Sequence, residues 1–146
     1  LAACEAALPC DIAICAAAVA DWRIAEEAGS KMKKNGGSPP SLAMVENPDI
    51  LATLSQASKN RPALVVGFAA ETNDLIDNAT KKRARKQCDW IVANDVSSGT
   101  GTFGGDENTV HLLTDEGVED WPRSSKAAVA SQLTARIAAK LAGTDA

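Results

Sequence analysis

With 146 residues the chain has room for one domain with a substantial core, and a make-up that is 45% hydrophobic and 23% charged, without an apolar run of 18 residues, argues against both disorder and a membrane span. Its 28 alanines, absent tyrosine and five Phe plus Trp call for a core of small and aliphatic side chains, as where helices lie close on a sheet. Fifteen Lys plus Arg against 19 Asp plus Glu give a formal charge of -4, which excludes a general nucleic-acid-binding surface but leaves room for a local anion site.

The chain opens on LAACEAAL, which reads as the later turns of a helix with no basic segment before it, so no signal peptide is expected. A start in mid-helix that feeds at once into IAICAAAVA leads us to expect earlier elements upstream, the chain being part of a larger domain. Residues 12–19 (IAICAAAV), 63–70 (ALVVGFAA) and 90–93 (WIVA) are unbroken apolar runs, as expected of strands covered on both faces. Asn47, with Pro48 at the first helical position and Asp49 next, is expected to cap a short helix running to about Ser58. Thr72 or Asn73 can cap a longer helix over residues 74–87. Residues 109–113 (TVHLL) alternate before T-D-E-G and form a candidate hairpin with residues 118–121. Ser124 or Ser125 opens a last helix with Ala128, Leu133, Ile137 and Leu141 as its apolar anchors. This order predicts an α/β fold, a Rossmann-like, mostly parallel sheet with flanking helices and a short antiparallel hairpin, N-terminally incomplete.

Residues 29–41, with three lysines, and the glycine-rich residues 97–108 are expected to be loops. The cysteines, Cys4, Cys10, Cys15 and Cys88, include no C-x-x-C pair, and the only histidine is His111, so a zinc site or redox dithiol lacks ligands. Cys15 and Cys88 read as small buried side chains in a reducing compartment.

Ligands of open parallel sheets sit beyond the carboxyl ends of the strands. There the sequence places Asp21, Trp22 and Arg23, then Glu71, Thr72 and Asn73, then Asn94 and Asp95, a rim suited to a ribose or an amide-bearing substrate, with Asp21 able to accept from two hydroxyls. Helix caps and turns use the same residue types. Neither a P-loop nor a G-x-G-x-x-G turn is present. Positive charge gathers instead at Lys31, Lys33 and Lys34, and at Lys81, Lys82, Arg83, Arg85 and Lys86. Lys82 and Lys86 share a helical stripe with Leu75 and Ala79, at the margin of a packed face. Solvated cations near a helix C-terminus are the ordinary alternative. Simple β-α-β geometry also puts that helix end far from Asp21.

AAAVADWR, SKMKK, MVENPDIL, VVGFAAET, KKRARK, WIVANDVS and FGGDEN, in this order, resemble the phosphopantothenate–cysteine ligase half of the bifunctional bacterial coenzyme A biosynthesis proteins, over essentially the whole chain. The resemblance implies residues 1–146 as part of a single ligase domain, a cytoplasmic homodimer with a possible fused decarboxylase half. It also implies joining of 4'-phosphopantothenate to L-cysteine through an acyl-cytidylate made from CTP, with Mg²⁺. Carried over by position, nucleotide contacts fall on Cys15, Ala16 and Ala17, on Asp21 beside the ribose, and on Lys31, which also stabilises developing charge. Pro48, Asp49, Ile50 and Leu51 correspond to a helix N-terminus offered to the nucleotide, with Phe68 near by and Lys82 and Lys86 on the phosphate side; metal ligands are not assigned. Residues 33–37 resemble a flap that closes over the intermediate. Trp22 stands where relatives often carry tyrosine, and the family's earlier glycine-rich turn and asparagine segment have no counterpart in these residues. A non-catalytic nucleotide-binding module is the alternative, and a redox enzyme lacks its dinucleotide signature.

Overall fold

The computed structural model describes residues 1–26, 41–97, 100, 102 and 104–143. A short helix α1 (Ala2–Ala6) leads into β1 (Ile12–Cys15), followed by two three-residue strands, β2 (Trp22–Ile24) and β3 (Met44–Glu46). Then come α2 (Ile50–Ser55), β4 (Leu64–Glu71), α3 (Leu75–Lys86) and β5 (Trp90–Asp95). The chain ends with β6 (Glu107–Asn108), β7 (Val110–Leu113), β8 (Val118–Asp120), β9 (Ser124–Ser125) and α4 (Lys126–Leu141). The central sheet has the order β1-β4-β5-β7-β8, parallel through its first three strands and antiparallel through the last three. This is the expected Rossmann-like α/β sheet with a β7–β8 hairpin.

The unbroken apolar runs of β4 and β5 arise because both faces of these strands are covered, with successive side chains alternating between two cores. On one face Leu64, Val66, Trp90, Val92, Val110 and Leu112 meet Val129, Leu133 and Ile137 of α4, three residues spaced by four on one helical stripe. On the other face Val65, Ala69, Ile91, Ala93 and Leu113 receive Leu51 of α2 and Ala79 of α3. Gly67 sits under that second layer, where an added Cβ would lie 2.5 Å from Leu51 Cδ2 and 2.9 Å from Ile91 Cδ1. Its missing side chain is what lets α2 come down onto the strands.

Several boundaries differ from the sequence expectation. The first strand stops at Cys15 rather than Val19: its pairing with β4 ends at Cys15 and Gly67, where the chain leaves the sheet although β4 runs on to Glu71. It is also the sheet edge, and Ile14 stays 48% exposed, so it is not covered on both faces. The cap of α2 is Asp49, whose carboxylate accepts from the Ala52 N–H, so Pro48 lies before the helix and Asn47 is not its cap. For α3 the N-cap position is Asp74, in the left-handed region at φ 46, with no side-chain cap from Thr72 or Asn73. Ser125 caps α4, but its buried anchors are Val129, Leu133 and Ile137, while Ala128 and Leu141 are exposed. The antiparallel pair β2–β3, which brackets residues 25–43, was not expected at all.

Candidate functional site

Where β1 ends, the chain leaves the sheet while β4 continues to Glu71 paired only with β5. That departure opens a cleft of about 470 Å³ between the end of β1, the β2–β3 pair, the N-terminus of α2 and one side of α3. Of the residues singled out from sequence, Cys15, Ala17, Asp21, Pro48, Asp49, Ile50, Leu51, Phe68, Lys82 and Lys86 line it. Ala16 does not, and Lys31 and residues 33–37 lie outside the described residues.

Lys82 and Lys86 therefore share the cleft with Asp21, contrary to the simple geometric expectation. The reason is the brevity of α2: six residues make a helix about 9 Å long, and an extended lysine side chain spans most of that length. At the C-terminus of α2, Gln56 Nε2 donates to the Lys86 carbonyl at 3.4 Å. From the same residue the Lys86 side chain runs back to the N-terminus of α2, where its ammonium donates to Asp49 Oδ2. Lys82, about one turn earlier on α3, lines the same cleft.

Sequence reasoning gave no site role to Arg85, Glu46 and Asn47, which also line the walls. Arg85, left within the basic cluster, lines the cleft beside the two lysines. Glu46 and Trp22 come from β3 and β2, and Asn47 frames the mouth. The Asn47 N–H donates to Asp21 O at 2.8 Å and its Nδ2 to Ala20 O at 2.8 Å, while its Oδ1 accepts from Arg23 Nη1 at 3.2 Å. These bonds fix the backbone that carries Asp21. The only signal available in the sequence was an asparagine at a helix entrance, which reads as a cap.

Charge is divided across the cleft. Cations line the α3 side, through Lys82, Arg85 and Lys86, and carboxylates line the β2–β3 side, through Asp21 and Glu46. Partial burial pulls the Asp49 carboxyl up, but the Lys86 hydrogen bond, the Ala52 N–H and the charges of Lys86 and Arg85 outweigh it and hold that carboxyl below its usual range. At the floor, the Cys15 thiol is pushed up by burial, then by Cys4 and Asp49. Cys88 is fully buried and burial raises its thiol to about 11, as befits a packing residue, whereas Cys15 is only half-buried and borders the cleft.

The rim proposed from three strand ends is not one site. Asp21 enters the large cleft, while Asp95 borders a smaller one of about 300 Å³ with Asn108, His111 and Arg123, and Glu71 and Asn94 line neither. Asp95 Oδ1 accepts from the Ser97 N–H at 2.8 Å, and the two Ser97 hydrogen bonds hold its carboxyl below the usual range, so it serves a turn. In the basic cluster, Arg83 donates from Nε to Asp89 O at 2.7 Å, away from the cleft. Among the described residues, no group of three or more His, Cys, Asp or Glu is arranged to hold a metal, and no helix is long and apolar enough to cross a membrane.

Comparison with known proteins places this geometry in a family. Residues 1–141 match the family described as DNA/pantothenate metabolism flavoprotein C-terminal domain. The coenzyme A biosynthesis bifunctional protein CoaBC of Vibrio vulnificus (strain YJ016) is 42% identical over 128 residues, which are 87% of this chain and 32% of that protein. That of Escherichia coli (strain K12) is 45% identical over 118 residues, 80% of this chain and 29% of that protein. The chain thus spans about a third of the length of these relatives. The solved C-terminal domain of a CoaBC protein superposes with a TM-score of 0.67 at 30% identity, over 91% of this chain and 56% of that one. A DNA/pantothenate metabolism flavoprotein from Streptococcus pneumoniae shares the fold, with a TM-score of 0.63 at 18% identity, over 88% of this chain and 60% of that one.

Proposed function

Since the chain belongs to the DNA/pantothenate metabolism flavoprotein C-terminal domain family, we propose that it is part of a CTP-dependent ligase of coenzyme A biosynthesis that joins 4'-phosphopantothenate to L-cysteine. The observation that carries this reading is the divided cleft, with three cations on one side, two carboxylates on the other and a capped helix N-terminus between them. A nucleoside triphosphate has the matching division: polyphosphate at one end, ribose hydroxyls able to donate to a carboxylate at the other. In this assignment Asp21 accepts from the ribose, Cys15, Ala17 and Phe68 border the nucleoside, and Lys82, Arg85 and Lys86 face the phosphates.

The reaction then proceeds in two displacements. A carboxylate oxygen of 4'-phosphopantothenate bonds to the α-phosphorus of CTP and the bond to pyrophosphate breaks, leaving the acyl-cytidylate. Cations that meet charge developing on the departing phosphates lower this barrier, and Lys31 is assigned with Lys82 to that task. The cysteine nitrogen next bonds to the acyl carbon, the carbon–oxygen bond to CMP breaks, and the ammonium proton is lost. Orientation of amine against carbonyl supplies much of this second step. Mg²⁺ is commonly held by substrate phosphates and one or two carboxylates; no residue of the cleft is assigned to it, and when bound the ion would neutralise phosphate charge.

A second copy of the chain is the proposed partner, supported by the exposure of Trp22 (53%), Met44 (50%) and Ile24 on the β2–β3 pair. A fused decarboxylase half is proposed from the bifunctional character of the named relatives. The test is CMP formation by the full-length natural protein, dependent on both 4'-phosphopantothenate and cysteine. Lys31→Gln is expected to slow pyrophosphate release about a hundredfold without loss of fold, and an unchanged rate removes Lys31 from the chemistry. CTP binding without CMP release would favour a nucleotide-binding module.

A further inference from the structure

The three cations of the cleft are not equivalent. The side chains of Lys82 and Arg85 make no hydrogen bond or ion pair among the described residues, whereas the Lys86 ammonium is paired with a carboxylate of the same cleft. That carboxylate, Asp49, divides its two oxygens between different tasks. Oδ1 accepts from the Ala52 N–H at 3.0 Å and is held by the first turn of α2. Oδ2 takes Lys86, whose side chain is only 19% exposed against 41% for Asp49. Lys86 is therefore the more covered side chain of the pair.

We propose that Asp49 is an intramolecular competitor of phosphate, which occupies Lys86 and reduces the hold of the cleft on polyphosphate anions. An entering polyphosphate gains the attraction of Lys82, and that of Arg85 reduced only by the charge of Asp49 acting across space. From Lys86 it gains only the difference between pairing with phosphate and pairing with Asp49, and it meets the repulsion of the Asp49 charge as well. Lys86 then contributes little net affinity while Asp49 is ionised, and much once Asp49 is neutral. A ligase of the proposed kind must release pyrophosphate on every turnover, and a cleft with three uncompensated cations would retain it. Binding energy spent on ground states and products does not accelerate the chemistry. This inference rests on the reading of the cleft as an anion site and adds a property of Asp49 to it.

Asp49→Asn and Asp49→Ser test it, because both residues still cap a helix but neither carries charge. The probe is inorganic triphosphate, titrated calorimetrically into the full-length natural protein without Mg²⁺, with thermal unfolding confirming that each variant folds. Both variants are expected to bind triphosphate about three- to tenfold more tightly, the gain shrinking as salt is added. Lys86→Gln is expected to cost less than about twofold in the wild type and roughly tenfold beside Asp49→Asn, a coupling that a double-mutant cycle reads directly. Unchanged, weaker or undetectable triphosphate binding in both variants overturns the proposal. CTP titrated in parallel separates the two readings. Tighter triphosphate binding with no CTP binding keeps the competitor and removes the nucleotide; CTP binding without the triphosphate gain does the reverse.

Discussion

Asp89, at the N-terminal edge of the sheet, and Asp49, in the cleft wall, each hold a cationic side chain, and the two pairs are built differently. Both Asp89 oxygens accept from Arg61 Nη2 at 3.0 Å, and Oδ2 also accepts from the Val65 N–H at 2.7 Å. Its backbone is fixed too, the N–H donating to Val65 O at 3.0 Å and the carbonyl accepting from Arg83 Nε at 2.7 Å. Arg61 is anchored in turn, donating to Ser55 O at 2.6 Å and Pro62 O at 2.8 Å. The Asp49 backbone is held as well, its carbonyl accepting from the Thr53 N–H at 2.9 Å and Thr53 Oγ1 at 2.7 Å, but its carboxylate has only one fixed partner, the Ala52 N–H, and one at the end of a flexible side chain. The saturated pair fastens β4 to β5, whereas the half-committed pair is free to exchange its cation with another anion. The same chemistry serves stability in one place and ligand response in the other because of how many fixed partners each carboxylate already has.

Substitutions separate these roles, and the largest effect is expected at the fastener. Asp89→Ala removes acceptors from Arg61 and the Val65 N–H and should cost about 2–3 kcal/mol of stability, read from urea unfolding. The dissociation constant for CTP, measured where the variant is folded, should stay within about twofold of wild type; an unchanged urea midpoint would mean that Asp89 fastens nothing.

Gly67→Ala tests whether the cleft depends on the packing that connects the two ends. The new methyl must displace Leu51 or Ile91, at a cost of about 1–3 kcal/mol. Because Leu51 belongs to α2 and lines the cleft, CTP affinity should fall as well, unlike in Asp89→Ala. Loss of stability with unaltered affinity would show that the position of α2 does not govern the site.

At Asp49 the expected effects on stability are smaller. Asp49→Ala loses the helix cap, about 1 kcal/mol, while Asp49→Asn keeps a cap and should lose less than half of that. Equal losses in thermal or urea unfolding would assign the contribution to charge rather than to capping.

The smallest effect is one of pH. The carboxyl of Asp49 is held below its usual range by Lys86, Ala52 and Arg85 against the opposing pull of burial. Its stabilisation is therefore present above the unfolded-state value and is lost as pH falls through the lower folded value. The stability difference between wild type and Asp49→Asn should shrink over that acid window and stay constant near neutrality. A difference that does not change with pH would remove charge from the account of this pair.

Much of the fold was legible because burial on both faces leaves a plain mark. The runs at residues 63–70 and 90–93 became β4 and β5 nearly as expected, and T-D-E-G marked the β7–β8 turn. The first strand was misjudged at its end, since alanines 16–18 fit strand and loop equally and only the register with β4 decides between them. The β2–β3 pair left no mark, because three-residue strands with exposed side chains carry no periodicity and their pairing joins residues about twenty apart in sequence.

The sequence by itself determined which groups were available: an α/β sheet with aliphatic cores, a basic stripe at Lys82 and Lys86, and candidate carboxylates after the strands. These follow from local periodicity and composition, which survive in a linear reading. Only the tertiary structure decided which of them meet. It assigned Asn47 to Ala20 and Arg23 and left Asp49 as the cap, although both residue types cap helices well. It carried Lys86 back along a helix short enough for one side chain to span, drew Arg85 into the same wall, and sent Asp95 to a separate turn. Such choices depend on distances between elements remote in sequence, set here by a glycine that lets α2 settle on the sheet and by the point at which β1 parts from β4.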